Sequence, residues 1–190
     1  ASLTGSWRPD DHWAIYAGAE VYSGDTPLRA QFYGITGNAL DLGGEYRWHE
    51  SRSISASVRS IEFSDGNRRQ SQRLVFQQKL IDQPHFDLDL RPEYYASRNS
   101  QQGVPYFNPV SDRAVTLALE AEHVLSRRYD RSWVQRVVFA AGSYRQEGFG
   151  AGTIGSLSYE QRYRFDPTFE VRYGVEMNRR IYDGTAERAL

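Results

Sequence analysis

The chain has 190 residues, with 23 Lys and Arg against 24 Asp and Glu and a formal net charge of -1, which gives no case for nucleic acid as a partner. It has no cysteine, which excludes a disulfide frame and a thiolate metal site, and no apolar run long enough for a transmembrane helix. Hydrophobic content of 39% with aromatic content of 14%, including 13 Tyr, fits either a soluble β protein or an outer-membrane barrel whose strands are only half apolar.

A two-residue alternation runs down the chain, the period of a strand with one apolar and one polar face. Trp13, Ile15, Ala17, Ala19 and Val21 alternate with Ala14, Tyr16, Gly18 and Glu20. Leu28, Ala30 and Phe32 predict a short second strand, with Arg29, Gln31 and Tyr33 on its wet face. Leu40, Leu42, Gly44, Tyr46 and Trp48 make a third, and Ile54, Ala56 and Val58 a fourth. Leu74, Phe76 and Leu80 make a fifth, interrupted by Gln78. Phe86, Leu88, Leu90, Tyr94 and Ala96 form the sixth, which carries Pro92. Val115, Leu117, Leu119 and Ala121 form the seventh. Trp133, Val137, Phe139 and Ala141 share the apolar face of the eighth, with Gln135 intruding. Gly155, Leu157, Tyr159, Tyr163 and Phe165 belong to the ninth, and the tenth is FEVRYGVEMNRR, Phe169 to Arg180.

About ten strands of roughly ten residues match tilted membrane strands better than the shorter strands of globular proteins. The connections fall into two alternating sets. HESR, DQPH, SRRYDR and FDPT are mostly tight turns, whereas RNSQQGVPYFNPVSD and QEGFGAG are long. Short turns at one end and long loops at the other mark a bacterial outer-membrane barrel. Trp48, Phe86, Tyr129, Trp133, Phe165 and Phe169 gather beside the short turns like an interfacial girdle. Arg29, Arg47, Arg59, Arg91, Arg162 and Arg172 all fall on the wet face. The predicted fold is therefore an all-β, antiparallel, up-and-down transmembrane barrel of porin type. ASLTGSWRPDD reads as a loop, and the final residues as a loop followed by the start of an incomplete strand. No signal peptide opens the chain, so residues 1–190 read as part of one barrel in a mature or excised segment.

Several stretches carry a resemblance: YFNPVSD (Tyr106 to Asp112), LSRRYDRS, AAGSYRQEGFGAG, YEQRYRFDP and RYGVEMNRRIYDG. Together they resemble the outer-membrane porins that export poly-N-acetylglucosamine for the biofilm matrix. The likeness covers the last hundred or so residues well and the earlier half by pattern. It implies a sixteen-stranded barrel behind a periplasmic helical-repeat domain that this sequence lacks. It also implies location in the outer membrane of a Gram-negative bacterium, in contact with its lipid. A periplasmic deacetylase and an inner-membrane synthase are the implied partners. Exporters of other exopolysaccharides, such as cellulose, share the architecture.

On the wet face, Asp41, Glu45, Asp87, Asp89, Glu93, Glu120, Glu122, Glu160, Glu170 and Glu176 are expected to line a lumen. Partially deacetylated glucosamine polymer is cationic, and many weak carboxylate sites would attract it yet let it move on. Arginines share that face, so an acidic conduit and a self-paired wall both stay open. Tyr16, Tyr33 and Tyr95 are candidates for contact with sugar rings. In the long loop, Tyr106 and Phe107 are candidates for a constriction. An enzyme reading would rest on Asp87 and Asp89, two apart on one face, but such spacing arises on any polar strand, and no catalysis is expected. His12, His49, His85 and His123 lack ligand spacing, so no metal or other cofactor is expected. A soluble carbohydrate-binding sandwich is the remaining alternative.

Overall fold

The computed structural model describes residues 1–189. They form one antiparallel sheet of eleven strands in which each strand pairs with its chain neighbours, from β1 to β11 in order. The strands are β1 (Ser2–Trp7), β2 (Trp13–Val21), β3 (Gly37–His49), β4 (Arg52–Phe63), β5 (Arg68–Gln83), β6 (Phe86–Asn99), β7 (Ser111–Arg128), β8 (Arg131–Gln146), β9 (Gly152–Arg164), β10 (Glu170–Tyr182) and β11 (Thr185–Ala189). A meander of this kind needs only hairpins, which the period-two pattern and the turn residues between its runs supply.

Two local expectations are overturned. Residues 2–7 are not a loop but β1, whose register runs from Ser2 opposite Glu20 to Trp7 opposite Ile15. Leu28–Phe32 is not a strand but a short helix, α1. Pro27 fixes the backbone immediately before it, and a run of five residues is too short for alternation to tell strand from helix. The two errors offset each other in the strand count but not in the loop pattern. Residues 22–36 now join the long-loop end, together with the loops at 100–110 and 147–151. The opposite end keeps tight connections at 50–51, 84–85 and 129–130.

The outer face is apolar and exposed. Leu40, Leu42, Val58, Val115, Leu117, Phe139, Leu157, Val175 and Met177 all lie open on it. Near the short turns it becomes an aromatic belt: Trp13 packs on Tyr46 at 4.8 Å between centroids, Tyr46 on Trp48 at 5.0 Å, and Tyr163 on Phe165 at 4.3 Å. The intruding glutamines Gln78 and Gln135 belong to the same level, together with Gln161 of β9, and are satisfied there. Gln161 accepts from Trp133 Nε1 at 2.9 Å and from the Tyr173 hydroxyl at 2.7 Å, while Gln135 lies 3.1 Å from the His123 ring. Gln78 accepts from Arg52 Nε at 2.6 Å. Amides on a lipid-side face cost little once bonded to neighbours at interfacial depth. Arg47, Arg59, Arg91, Arg162 and Arg172 face inward, as their alternation requires. Arg29 sits on α1 instead.

The inner side holds a small core at the long-loop mouth. Ala39, Ile61 and Phe63 are buried there with Ile35 against them. Tyr106 stacks on Phe63 at 5.5 Å, and the next residue, Phe107, meets Tyr182 of β10 edge-on at 5.2 Å. Six strand spacings separate β4 from β10, about 29 Å along a flat sheet. The rings of two consecutive residues lie at most about 15 Å apart, so with contacts of 5.5 and 5.2 Å the Phe63 and Tyr182 rings are at most about 26 Å apart. The sheet is therefore curled, and the loop spans its concave side.

Candidate substrate conduit

Strand pairing places all ten predicted acids on the concave face. Eight of them meet a cation. Arg59 binds Asp41 at 2.6 Å, Arg47 binds Glu45 at 2.9 Å and Arg73 binds Glu93 at 2.7 Å. Arg136 and Arg91 reach Glu120 at 2.7 and 3.8 Å, and Arg162 reaches Glu122 at 3.5 Å. Arg172 lies 3.8 Å from Glu160 and 2.9 Å from Glu170, which Arg164 also contacts at 3.1 Å. Lys79 approaches Asp87 at 3.7 Å. Among the described residues, Asp89 and Glu176 have no ion-pair partner. Most of the wall is thus a braced lattice of opposite charges on neighbouring strands.

One patch departs from that pattern. On β6 and β7, Asp87 stands directly opposite Glu122, and Asp89 directly opposite Glu120. Like charges facing each other across a strand pair repel. Oδ1 of Asp87 and Oδ1 of Asp89 are buried and accept no hydrogen bond. These four carboxylates form a square toward the short-turn end of the lumen, with Lys79, Arg91, Arg136 and Arg162 around its border. The patch can accept further donors, and an ammonium or hydroxyl group supplies them.

At the opposite mouth, two loops fold inward. Arg59 gathers the first: it binds Glu20 at 2.9 Å and Asp25 at 3.0 Å besides Asp41, and donates to Ser23 Oγ at 2.9 Å. The second is held by Asn67, which is 1% exposed. Its amide donates to the Tyr106 hydroxyl at 3.0 Å and to Asn108 Oδ1 at 2.7 Å, and its carbonyl oxygen accepts from Ser100 Oγ and Gln101 N. Tyr106 in turn donates to Asp65 at 3.0 Å. Burial pushes the Tyr106 hydroxyl above the ordinary tyrosine range, and the Asp65 carboxylate acts in the same direction. Tyr106 is thus a buried anchor, and Phe107 carries the loop on to β10. In the short turn after β9, Asp166 accepts from the Thr168 hydroxyl and from two backbone amides, which holds its carboxyl below the usual range.

Of the candidate tyrosines, Tyr16 lies flat over Gly43 on β3, and a Cβ there would overlap its ring. Tyr95 accepts from Arg69 Nη2 at 3.0 Å. Tyr33 ends α1 rather than standing on a lumen strand. The alternation did not single out Arg59 as a hub, nor Asp112, which is buried and accepts from Ser97 and, at 3.0 Å, from Tyr144. Asp112 does fall within YFNPVSD, a motif that carried the resemblance.

An apolar outer face with an interfacial aromatic belt, a charged inner face and long connections gathered at one end define the wall of an outer-membrane β-barrel. The chain belongs to the PgaA membrane β-barrel domain family, whose model matches residues 1–190. It is 30% identical over 190 residues to the poly-β-1,6-N-acetyl-D-glucosamine export proteins of Escherichia coli K12 and Escherichia coli O157:H7. That alignment takes in 100% of this chain and 24% of each relative, so the chain spans about a quarter of their length. A solved structure described as a bacterial polysaccharide outer membrane secretin superposes with a TM-score of 0.93 at 30% identity, covering 98% of this chain and 64% of that one.

Proposed function

We propose that this sheet is part of the wall of a passive outer-membrane conduit that exports partially deacetylated poly-β-1,6-N-acetyl-D-glucosamine. The square of Asp87, Asp89, Glu120 and Glu122 carries this reading. Among the described residues it is the one inward patch where carboxylates oppose carboxylates, a buried oxygen of Asp89 there has neither hydrogen-bond nor ion-pair partner, and it lies toward the periplasmic, short-turn end. A polymer with free amines finds there a weak cationic site at its entrance. Beyond it most charges are paired, with Glu176 the exception among the predicted acids, which favours sliding over tight binding. The roles assigned to the remaining inward acids, and to Tyr106 and Phe107 as the base of a constriction, belong to the same proposal. So do the partners: a periplasmic deacetylase that exposes the amines, and an inner-membrane synthase that feeds the chain. The wall binds and guides; no catalytic step is assigned to it.

The test is single-channel recording of the full-length protein in a planar bilayer with glucosamine oligomers added. Reversible block that weakens with salt and is lost in D87N/D89N/E120Q/E122Q supports the proposal. Equal block by neutral cello-oligomers in both proteins would transfer the reading to a neutral polymer such as cellulose.

A further inference from the structure

On the outer face, at the long-loop rim, three arginines stand together. Arg113 of β7 is directly opposite Arg145 of β8, and Arg98 of β6 pairs with Ser111, two residues nearer the rim. All three are exposed, and among the described residues none forms an ion pair. Arg98 spends Nε and Nη2 on one neutral oxygen, Gln70 Oε1, at 3.0 and 2.7 Å. The nearby Glu147 carboxylate is engaged by Ser111 Oγ at 2.7 Å. This contrasts with the inner face, where the sequence supplies nearly every arginine with an acid.

At the outer rim the three arginines face a single carboxylate, Glu147, which lines the same concavity but pairs with none of them, and the like charges of Arg113 and Arg145 across a strand pair repel. Directly below them the face turns apolar: Tyr94 opposite Val115, with Leu40, Leu42 and Val58 alongside. Arginines and apolar residues together line one broad concavity of about 1180 Å³. The shape is that of an amphipathic seat, with cations at headgroup depth and hydrocarbon beneath. The long-loop end faces outward in barrels of this class.

We propose that Arg98, Arg113 and Arg145 bind the phosphorylated headgroup of an outer-leaflet glycolipid, with its acyl chains lying on Tyr94, Val115 and Leu42. Guanidinium groups match phosphate oxygens in a bidentate manner, and one such anion relieves the repulsion between Arg113 and Arg145.

The experiment uses full-length protein, delipidated in mild detergent, and native mass spectrometry with three probes: bis-phosphorylated lipid A, dephosphorylated lipid A and inorganic pyrophosphate. Wild type is expected to bind the bis-phosphorylated lipid at least about tenfold more tightly than the dephosphorylated one, and R98Q/R113Q/R145Q to lose that preference. R113K/R145K, which keeps the charge, is expected to retain part of it and serves if the triple variant fails to fold. Heat-modifiable migration on gels reports folding. Equal binding of both lipids by wild type, or undiminished preference in the triple variant, overturns the proposal. Full displacement of the lipid by pyrophosphate overturns it too, since a simple anion site would then suffice.

Discussion

The Asn67 amide donates to the Tyr106 hydroxyl at 3.0 Å, joining residues 39 positions apart and locking the β6–β7 loop to the β4–β5 turn. Asn67 is nearly inaccessible, and both ends of its side chain are engaged. Asn67→Ala removes those bonds and leaves Asn108 and Gln101 short of partners. It is expected to free the loop at a cost of about 2–4 kcal/mol. Proteolysis between residues 100 and 110, with barrel migration on gels unchanged, measures the effect.

Tyr106 adds a pH dependence to that lock. Its folded pKa is raised, so the stability it contributes is complete below the ordinary tyrosine value of about 10 and is lost as pH rises through the folded value. Loop proteolysis in wild type is expected to increase at strongly alkaline pH. Tyr106→Phe, which loses the bond to Asp65, is expected to be weaker by about 1 kcal/mol at neutral pH and to lack that tyrosine-linked increase.

Arg59 faces Glu20, Asp25 and Asp41 together, so Arg59→Met leaves three carboxylates without their common cation. The group is partly exposed, which reduces the cost to about 1–3 kcal/mol. Urea unfolding in lipid vesicles reports the loss, and a rise in cation selectivity of any conductance of the full-length protein in a planar bilayer reports the unmasked acids. Arg59→Lys keeps the charge but not the fork, and is expected to fall between the two.

Tyr16 and Gly43 fit as a pair, ring over bare backbone. Gly43→Ala is expected to push the ring away and destabilise the sheet by about 1–2 kcal/mol. Adding Tyr16→Ala to it is expected to cost less than the sum of the two single changes. A double-mutant cycle in urea reads that coupling. Additivity would mean that the ring and the glycine act independently.

The sidedness of β10 can be tested with neighbouring residues. Val175 faces outward and Glu176 inward. Val175→Arg is expected to cost about 2–4 kcal/mol of folding stability in a bilayer, and Glu176→Gln well under 1 kcal/mol. Similar losses in both would contradict a lipid-facing outer side.

Alternation was readable wherever a strand had enough residues to repeat it, which is why β2 and β3 through β10 and the inward position of ten acids could be read from residue order. Leu28, Ala30 and Phe32 misled because three apolar residues two apart fit a single helical turn as well as a strand. β1 was missed because Ser2, Thr4 and Ser6 alternate with Leu3, Gly5 and Trp7 too weakly to outweigh its polar flank.

The sequence by itself determined which face each side chain would take, because the period of a strand is two and lipid penalises a charge on the wrong side. It also determined which end carried the long loops. Only the tertiary structure decided which charges meet. Cross-strand register sets whether an acid stands opposite an arginine, as Asp41 does with Arg59, or opposite another acid, as Asp87 does with Glu122. The curl of the sheet, which brings β4 and β10 within reach of consecutive loop residues, turned Tyr106 from a candidate pore residue into a buried anchor. Register and curvature are properties of strands taken together, and no single stretch of sequence holds them.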